Sequence, residues 1–228
     1  KIGKIIQQLW ILNFVKLMIN STPIAIIPAR IGSKRVKFKN IVNFKRKPLI
    51  IWTIEAAIKS KIFHKIYVST DSKIIKNKII KYNKKINFLS RPKKYSGSKT
   101  KSETLIRHLI LKNNLHKKYE TIFLLQATSP DRSYRHVKSM WDIYRKENLK
   151  SFVSVSKKKN KSKIKIKNNL FFGKKKKKNN FIFYQNGAIY ISDIKSFLKN
   201  SNFVHKKTSY FYMEEKYSLD VDNYSDFN

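Results

Sequence analysis

The four residues Ile24-Ala-Ile-Ile27 are wholly apolar and stand between Pro23 and Pro28. Two prolines so close together exclude a helix through the run. Proline has no amide donor and disfavours the helical region for the residue before it. A short apolar run with such ends reads as a strand buried on both faces, the usual condition in a parallel sheet. Further strands are read at Lys65–Thr70, Asn87–Ser90, Thr121–Leu125 and Ser151–Val155. Between these runs lie stretches with helical spacing: Leu49–Ser60 behind Pro48, a helix to Tyr82 capped from Asp71-Ser72, one from a Ser102 cap to Asn113, and Ser133–Glu147. Strands alternating with helices in this way predict an α/β fold, a mainly parallel sheet covered on both faces. Asn186–Ile191 is expected to be a further strand, and Asp193 to cap a short helix over 194–199. Ser218–Asp222 alternates as a strand does and places Asp220 and Asp222 on one face.

Open sheets of this class bind ligands beyond the C-terminal ends of their strands. The loops 28–40, 70–72, 91–102 and 126–132 fall there. The first combines Gly32 and Ser33 with five cations, Arg30, Lys34, Arg35, Lys37 and Lys39. Backbone N–H groups and cations that converge at a strand end hold polyphosphates. The loop has a single glycine, so it is neither a Walker motif nor a dinucleotide fingerprint. A phosphate site is the favoured reading, and a solvated Lys-rich loop is the alternative. Carboxylates at i and i+2, as at Asp220 and Asp222, suit Mg²⁺, which takes one or two carboxylates plus phosphate oxygens and water. A local charge balance against lysine is the other reading of that pair. Arg91 can grip a phosphate or carboxylate with both arms of its fork, or stand in a surface turn. Gln126, Thr128 and Ser129 offer neutral hydrogen-bonding groups suited to a sugar, or make a polar turn ended by Pro130. Asn186 and Gly187 serve a ligand or merely a tight strand entry. Trp52, Tyr67 and Phe88 read as core.

Charge is less informative here than its size implies. The chain carries 52 Lys+Arg against 13 Asp+Glu, a net charge of +39. That balance fits a polyanion partner such as nucleic acid. Yet only eight of the cations are Arg, and Lys, Ile and Asn, all with AT-rich codons, dominate throughout. Drift of base composition is the preferred explanation. Against that background the six Ala (25, 29, 56, 57, 127, 188) stand out, because they fall in a few short clusters. Cysteine is absent, which excludes disulfides and thiolate metal sites, and the five His lack metal-ligand spacing. Residues 1–17 are too short and too interrupted by polar side chains to span a membrane. They read as an extension or upstream read-through. Residues 1–22 are expected to lie outside the fold of a cytoplasmic protein.

The ordered set of segments resembles the acylneuraminate cytidylyltransferases, the CMP-sialic acid synthetases. It comprises Ile26–Arg35 with Lys39-Asn40, Pro48–Ala57, Val68–Ser72, Arg91-Pro92, Leu124–Pro130, Asn186–Ile191 and Ser218–Asp222. All six Ala lie in or beside it. The resemblance implies a Rossmann-like, three-layer nucleotidyltransferase fold over residues 23–228, with 157–185 as a small Lys-rich dimerisation arm, and a homodimer. It implies Mg²⁺-dependent attack of a nonulosonic acid's anomeric hydroxyl on CTP. By motif, Arg30, Gly32, Ser33, Lys34 and Lys39 would hold the triphosphate, and Asn40, Arg91 and Ser102 the cytidine. Gln126, Thr128 and Asn186 would meet the sugar. Asp220 and Asp222 would carry Mg²⁺, and Arg30, Lys34, Lys39 and Asp220 would be the catalytic set. No membrane and no specific nucleic acid are expected as partners. Two departures are visible. Lys174–Lys178 occupies the region where family members carry arginine, and Lys lacks Arg's bidentate fork. The chain also ends at Asn228, where members generally continue, as a fragment would. Alternatives are an enzyme for a pseudaminic or Kdo-type acid, a basic nucleic-acid-binding protein, and an inactive member.

Overall fold

The computed structural model describes residues 22–157, 171–172 and 183–227. Almost all of the expected extension, and most of the Lys-rich segment 157–185, lie outside the described residues. In chain order the elements are β1 (Ile24–Pro28), β2 (Asn43–Phe44), β3 (Lys47–Pro48), α1 (Leu49–Ser60), β4 (Lys65–Thr70), α2 (Lys73–Tyr82) and β5 (Asn87–Ser90). Next come α3 (Ser102–Lys112), β6 (Thr121–Leu125), α4 (Tyr134–Lys146), β7 (Ser151–Lys157) and β8 (Phe171–Phe172). The last are β9 (Phe183–Asp193), α5 (Ile194–Asn200) and β10 (Thr208–Tyr212).

Eight strands form one sheet in the order β5-β4-β1-β6-β9-β7-β10-β8. Every pairing is parallel except the two made by β9, which runs antiparallel to β6 and β7. The chain leaves β1 for β4 and β5 on one side, then crosses back to β6 on the other. That reversal opens a crevice at the C-terminal ends of β1 and β6.

Strand alternation builds the layers. On one face Ala25 and Ile27 of β1, with Phe123 and Leu125 of β6, pack against Ile50, Ile54 and Ala57 of α1 and the apolar sides of α2 and α4. On the other, Ile24, Ile26, Ile122 and Leu124 meet Leu105, Ile106, Leu109 and Ile110 of α3 and Phe197 of α5. All four residues of the opening apolar run have no exposed surface. Burial of each of the three isoleucine side chains contributes about 1.5–3 kcal/mol. A small third cluster joins Phe44, Leu49 and Val221, with Trp52, Leu219 and Phe227 against it. It pins the C-terminal segment beside the crevice.

Several local expectations hold. Ser72 caps α2 by accepting from the Ile75 amide at 3.3 Å, and Asp193 caps α5; Ser133, read as the first residue of a helix, is the cap of α4. Two do not. Ser102 is the first residue of α3, not its cap, and Lys101 at the cap position makes no side-chain bond. Ser218–Asp222 is not a strand. Its Val221 is buried and donates its amide to the Thr128 carbonyl at 2.8 Å. The alternation survives without a ladder, because an apolar anchor with polar neighbours on either side demands it. Strand β10 and the β2–β3 hairpin were not read from the sequence. Among the described residues no helix is long and apolar enough to cross a membrane.

Candidate active site

A cleft of about 430 Å³ opens at the C-terminal ends of β1, β5 and β6. Its walls come from the four loops that the strand pattern places there, together with the segment around Asp220. The loop after β1 is fixed by its own backbone. The Ile31 amide donates to Asp71 Oδ1 at 3.0 Å, and buried Asn40 donates through Nδ2 to the Arg30 carbonyl at 2.9 Å. Arg30 Nη1 donates to the Gly32 carbonyl. Gly32 therefore supports Arg30 from behind and is not itself on the cleft wall. Arg30, Ser33, Lys34, Lys39 and Asn40 all are.

Arg91 is 7% exposed. Its Nε and Nη2 donate to the Tyr95 carbonyl at 3.0 and 2.7 Å, which ties down the turn after β5. Burial lowers its pKa; nearby Asp71 opposes this and Arg30 adds to it. Part of the fork thus serves structure, while the side chain still borders the cleft. Beyond it Ser98, Thr100 and Ser102 reach the same wall at alternate positions. Not being a cap, the Ser102 hydroxyl has no helix amide to satisfy and is available to a ligand.

Asp220 and Asp222 line the same cleft as Arg30, Lys34 and Lys39. Their states differ. Asp222 Oδ1 accepts from Arg35 Nη2 at 2.9 Å and from Lys39 Nζ at 3.0 Å. Lys39 also donates to the Val221 carbonyl at 2.7 Å and is only 12% exposed, so it ties the two loops together. Asp220 opens onto the cleft with no ion pair among the described residues. Burial pushes its carboxyl above the usual range, as does Asp222, while a hydrogen bond with Thr128 and the charges of Lys39 and Arg35 pull the other way. The described residues contain no group of three or more His, Cys, Asp or Glu able to hold a metal, so the acidic donors of the cleft are this pair.

Gln126 and Thr128 line the far edge. Gln126 rests on Gly187, where an added Cβ would lie 3.5 Å from its amide nitrogen. Gly187 has φ +76°, a conformation that side chains strain. Asn186 must be reassigned. It is 3% exposed and off the cleft wall. Its Oδ1 accepts from Ser154 Oγ at 2.6 Å and its Nδ2 donates to Ser156 Oγ at 2.9 Å. Both ends of the amide are thus engaged in locking β9 to β7, so a contact with sugar is replaced by a structural role.

Sequence reasoning missed Asp71 as the anchor of the first loop, Arg35 as a partner of Asp222, and Ser98 and Thr100. It also missed Arg132, which lies 1% exposed behind the Gln126–Ser129 turn. One signal was available. In a chain where lysine is the default cation, four of the eight arginines (30, 35, 91 and 132) gather at this cleft.

Residues 24–226 match the family described as Cytidylyltransferase. The N-acylneuraminate cytidylyltransferase of Escherichia coli O18:K1:H7 is 34% identical over 214 residues, 90% of this chain and 50% of that protein. The chain thus spans about half the length of the first curated relatives it matches. The CMP-N,N'-diacetyllegionaminic acid synthase of Legionella pneumophila is 31% identical over 210 residues, 87% of this chain and 90% of that one. Among solved structures, a CMP:2-keto-3-deoxy-manno-octonic acid synthetase complexed with CTP superposes with a TM-score of 0.68 at 14% identity. That match covers 90% of this chain and 95% of the other and shows a shared fold. With the fold, the ordered segments and the cleft in agreement, the chain belongs to the cytidylyltransferase family.

Proposed function

We propose that the chain transfers CMP from CTP to the anomeric hydroxyl of a nonulosonic acid of the sialic or legionaminic type, releasing pyrophosphate. One observation carries the reading: a cationic loop after the first strand and a carboxylate pair nearly 200 residues later line one cleft. Arg30 and Lys34 offset triphosphate charge, Ser33 adds a hydroxyl donor, and Lys39 fixes the loop relative to the acids. Arg91, Asn40 and Ser102 border the nucleoside end. Gln126 and Thr128 border the acceptor end. The anomeric oxygen forms a bond to the α-phosphorus as the bond to the β-phosphate oxygen breaks, and the hydroxyl proton passes to water. In such transfers the protein mainly positions groups and neutralises charge.

The donor set fits Mg²⁺, which is satisfied by one or two carboxylates when phosphate oxygens and water complete its shell. Asp220 is the freer ligand, and Asp222 would join as its cation partners turn to phosphate. When bound, the ion would neutralise phosphate charge and polarise the phosphoryl oxygens. A homodimer in the cytoplasm belongs to the same reading.

The test is pyrophosphate release from CTP and Mg²⁺ with a panel of sialic, legionaminic, pseudaminic and Kdo-type acids. Release with a sialic or legionaminic acid is expected. No release with any acid would sink the proposal.

A further inference from the structure

Arg132 is a buried cation that the proposed reaction does not use, and it sits where the acceptor edge of the cleft is anchored. Among the described residues it has no carboxylate partner. Nη2 donates to Thr53 Oγ1 at 2.6 Å, and Nη1 donates to the Ser129 carbonyl at 3.1 Å. Nη1 also lies 3.5 Å from the Gln126 carbonyl, and Nε has no hydrogen-bond partner. Thr53, buried on α1, donates through its own hydroxyl to the Gln126 carbonyl at 3.1 Å. The guanidinium and Thr53 therefore grip both ends of the Gln126–Ser129 turn from behind. The front of that turn carries Gln126 and Thr128 into the cleft. Its Thr128 carbonyl accepts the Val221 amide at 2.8 Å, between Asp220 and Asp222.

A cation buried without a counter-ion is unfavourable, and burial alone pulls the pKa of Arg132 down to about 9. If filling space were its only task, an apolar residue would serve better. Lysine, abundant everywhere else in the chain, has a single ammonium and cannot span Thr53 and Ser129 as a planar fork does.

We propose that Arg132 is the positioning residue of the acceptor edge: through Thr53 and the Gln126–Ser129 turn it sets Gln126, Thr128 and, by way of Val221, the Asp220–Asp222 segment. Its kinetic consequence rests on the cytidylyltransferase reading, but its structural consequence does not.

Two variants of the full chain test it, Arg132→Lys and Thr53→Val, the second keeping side-chain shape and removing the hydroxyl. Amide hydrogen exchange reports the turn without any substrate. Val221 should exchange about tenfold faster or more in both variants, because its acceptor is no longer held, while Ile26 in β1 changes less than about twofold. In turnover, KM for the nonulosonic acid should rise about tenfold, with the Kd for CTP, read by calorimetry, within about threefold of the parent. Unchanged Val221 exchange, equal acceleration at Ile26, or a parent-like KM for the acid in Arg132→Lys would overturn the proposal. If the parent chain proves inactive with every acid, the cytidylyltransferase reading fails, and the Val221 exchange still decides the role of Arg132.

Discussion

Asparagine substitutions at Asp220 and Asp222 should separate stability from turnover. Asp222 accepts two charged hydrogen bonds of 2.9 and 3.0 Å, but they are not equivalent. Arg35 is 62% exposed, so its pair is screened and worth about 0.5 kcal/mol. Lys39 is 12% exposed, and its bond is a charged one with little competing water, worth about 1.5 kcal/mol. An Asn at 222 keeps a neutral acceptor for one donor, so the net loss is about 1.5 kcal/mol. For a chain of this size that lowers Tm by roughly 3–6 °C. Asp220 has no ion pair to lose, and its surroundings disfavour the ionised carboxylate. Asp220→Asn should therefore leave Tm within about 1 °C or raise it. Turnover should fall in both, by about a hundredfold or more if each carboxylate bears on the metal and triphosphate. Thermal unfolding by circular dichroism, read beside pyrophosphate release, measures the two effects separately. Equal Tm losses for the two variants would refute the electrostatic distinction. Near-normal turnover of Asp220→Asn would remove that residue from the reaction.

Gly187→Ala forces a side chain into φ +76° and toward Gln126. It should cost about 1 kcal/mol in denaturant unfolding and raise KM for the acid more than KM for CTP. Ser72→Ala should lose about 1 kcal/mol through its cap bond, whereas Ser102→Ala should change stability by less than about 0.5 kcal/mol and weaken CTP binding by calorimetry. Asp226 Oδ2 accepts the Asp222 and Asn223 amides at 2.7 and 2.8 Å, and these bonds hold its carboxyl below the usual range. Its contribution is present above the ordinary carboxylate pKa and is lost as pH falls through the depressed value. Asp220 has the opposite sign: its ionised form destabilises the fold as pH rises through the raised value. Carboxyl chemical shifts followed by NMR should therefore show Asp226 titrating at lower pH than Asp220.

What the sequence made legible divides along physical lines. The strands β1 and β6 were readable because burial on both faces writes continuous apolar runs, and the caps Ser72 and Asp193 because local hydrogen bonding fixes them. Strand β10 was not readable. Thr208–Tyr212 alternates little and follows a polar loop, and only its parallel pairing with β7 makes it a strand. Ser102 was misread as a cap because serine before a helix serves capping and ligand binding with the same hydroxyl, and only the backbone decides which. Asn186 was misread for a related reason: whether an amide faces a ligand or a neighbouring strand depends on the register of β9 against β7, a non-local fact.

The arginines carry the remaining lesson. Lysine can drift into any exposed position at little cost, because a flexible ammonium finds water wherever it points. A guanidinium presents several donors in a fixed plane, so one side chain can grip a carbonyl with two nitrogens or join two acceptors. Arg91 bridges to Tyr95 with two nitrogens, Arg132 joins Thr53 to Ser129, and Arg30 closes on Gly32. Each of these bonds holds a turn whose other side faces the cleft. Arg30, Arg91 and Arg132, in a chain with a net charge of +39, thus mark geometry, where most of the lysines mark only composition. The same contrast makes lysine at 132 a sharper substitution than alanine, since it keeps the charge and removes only the fork.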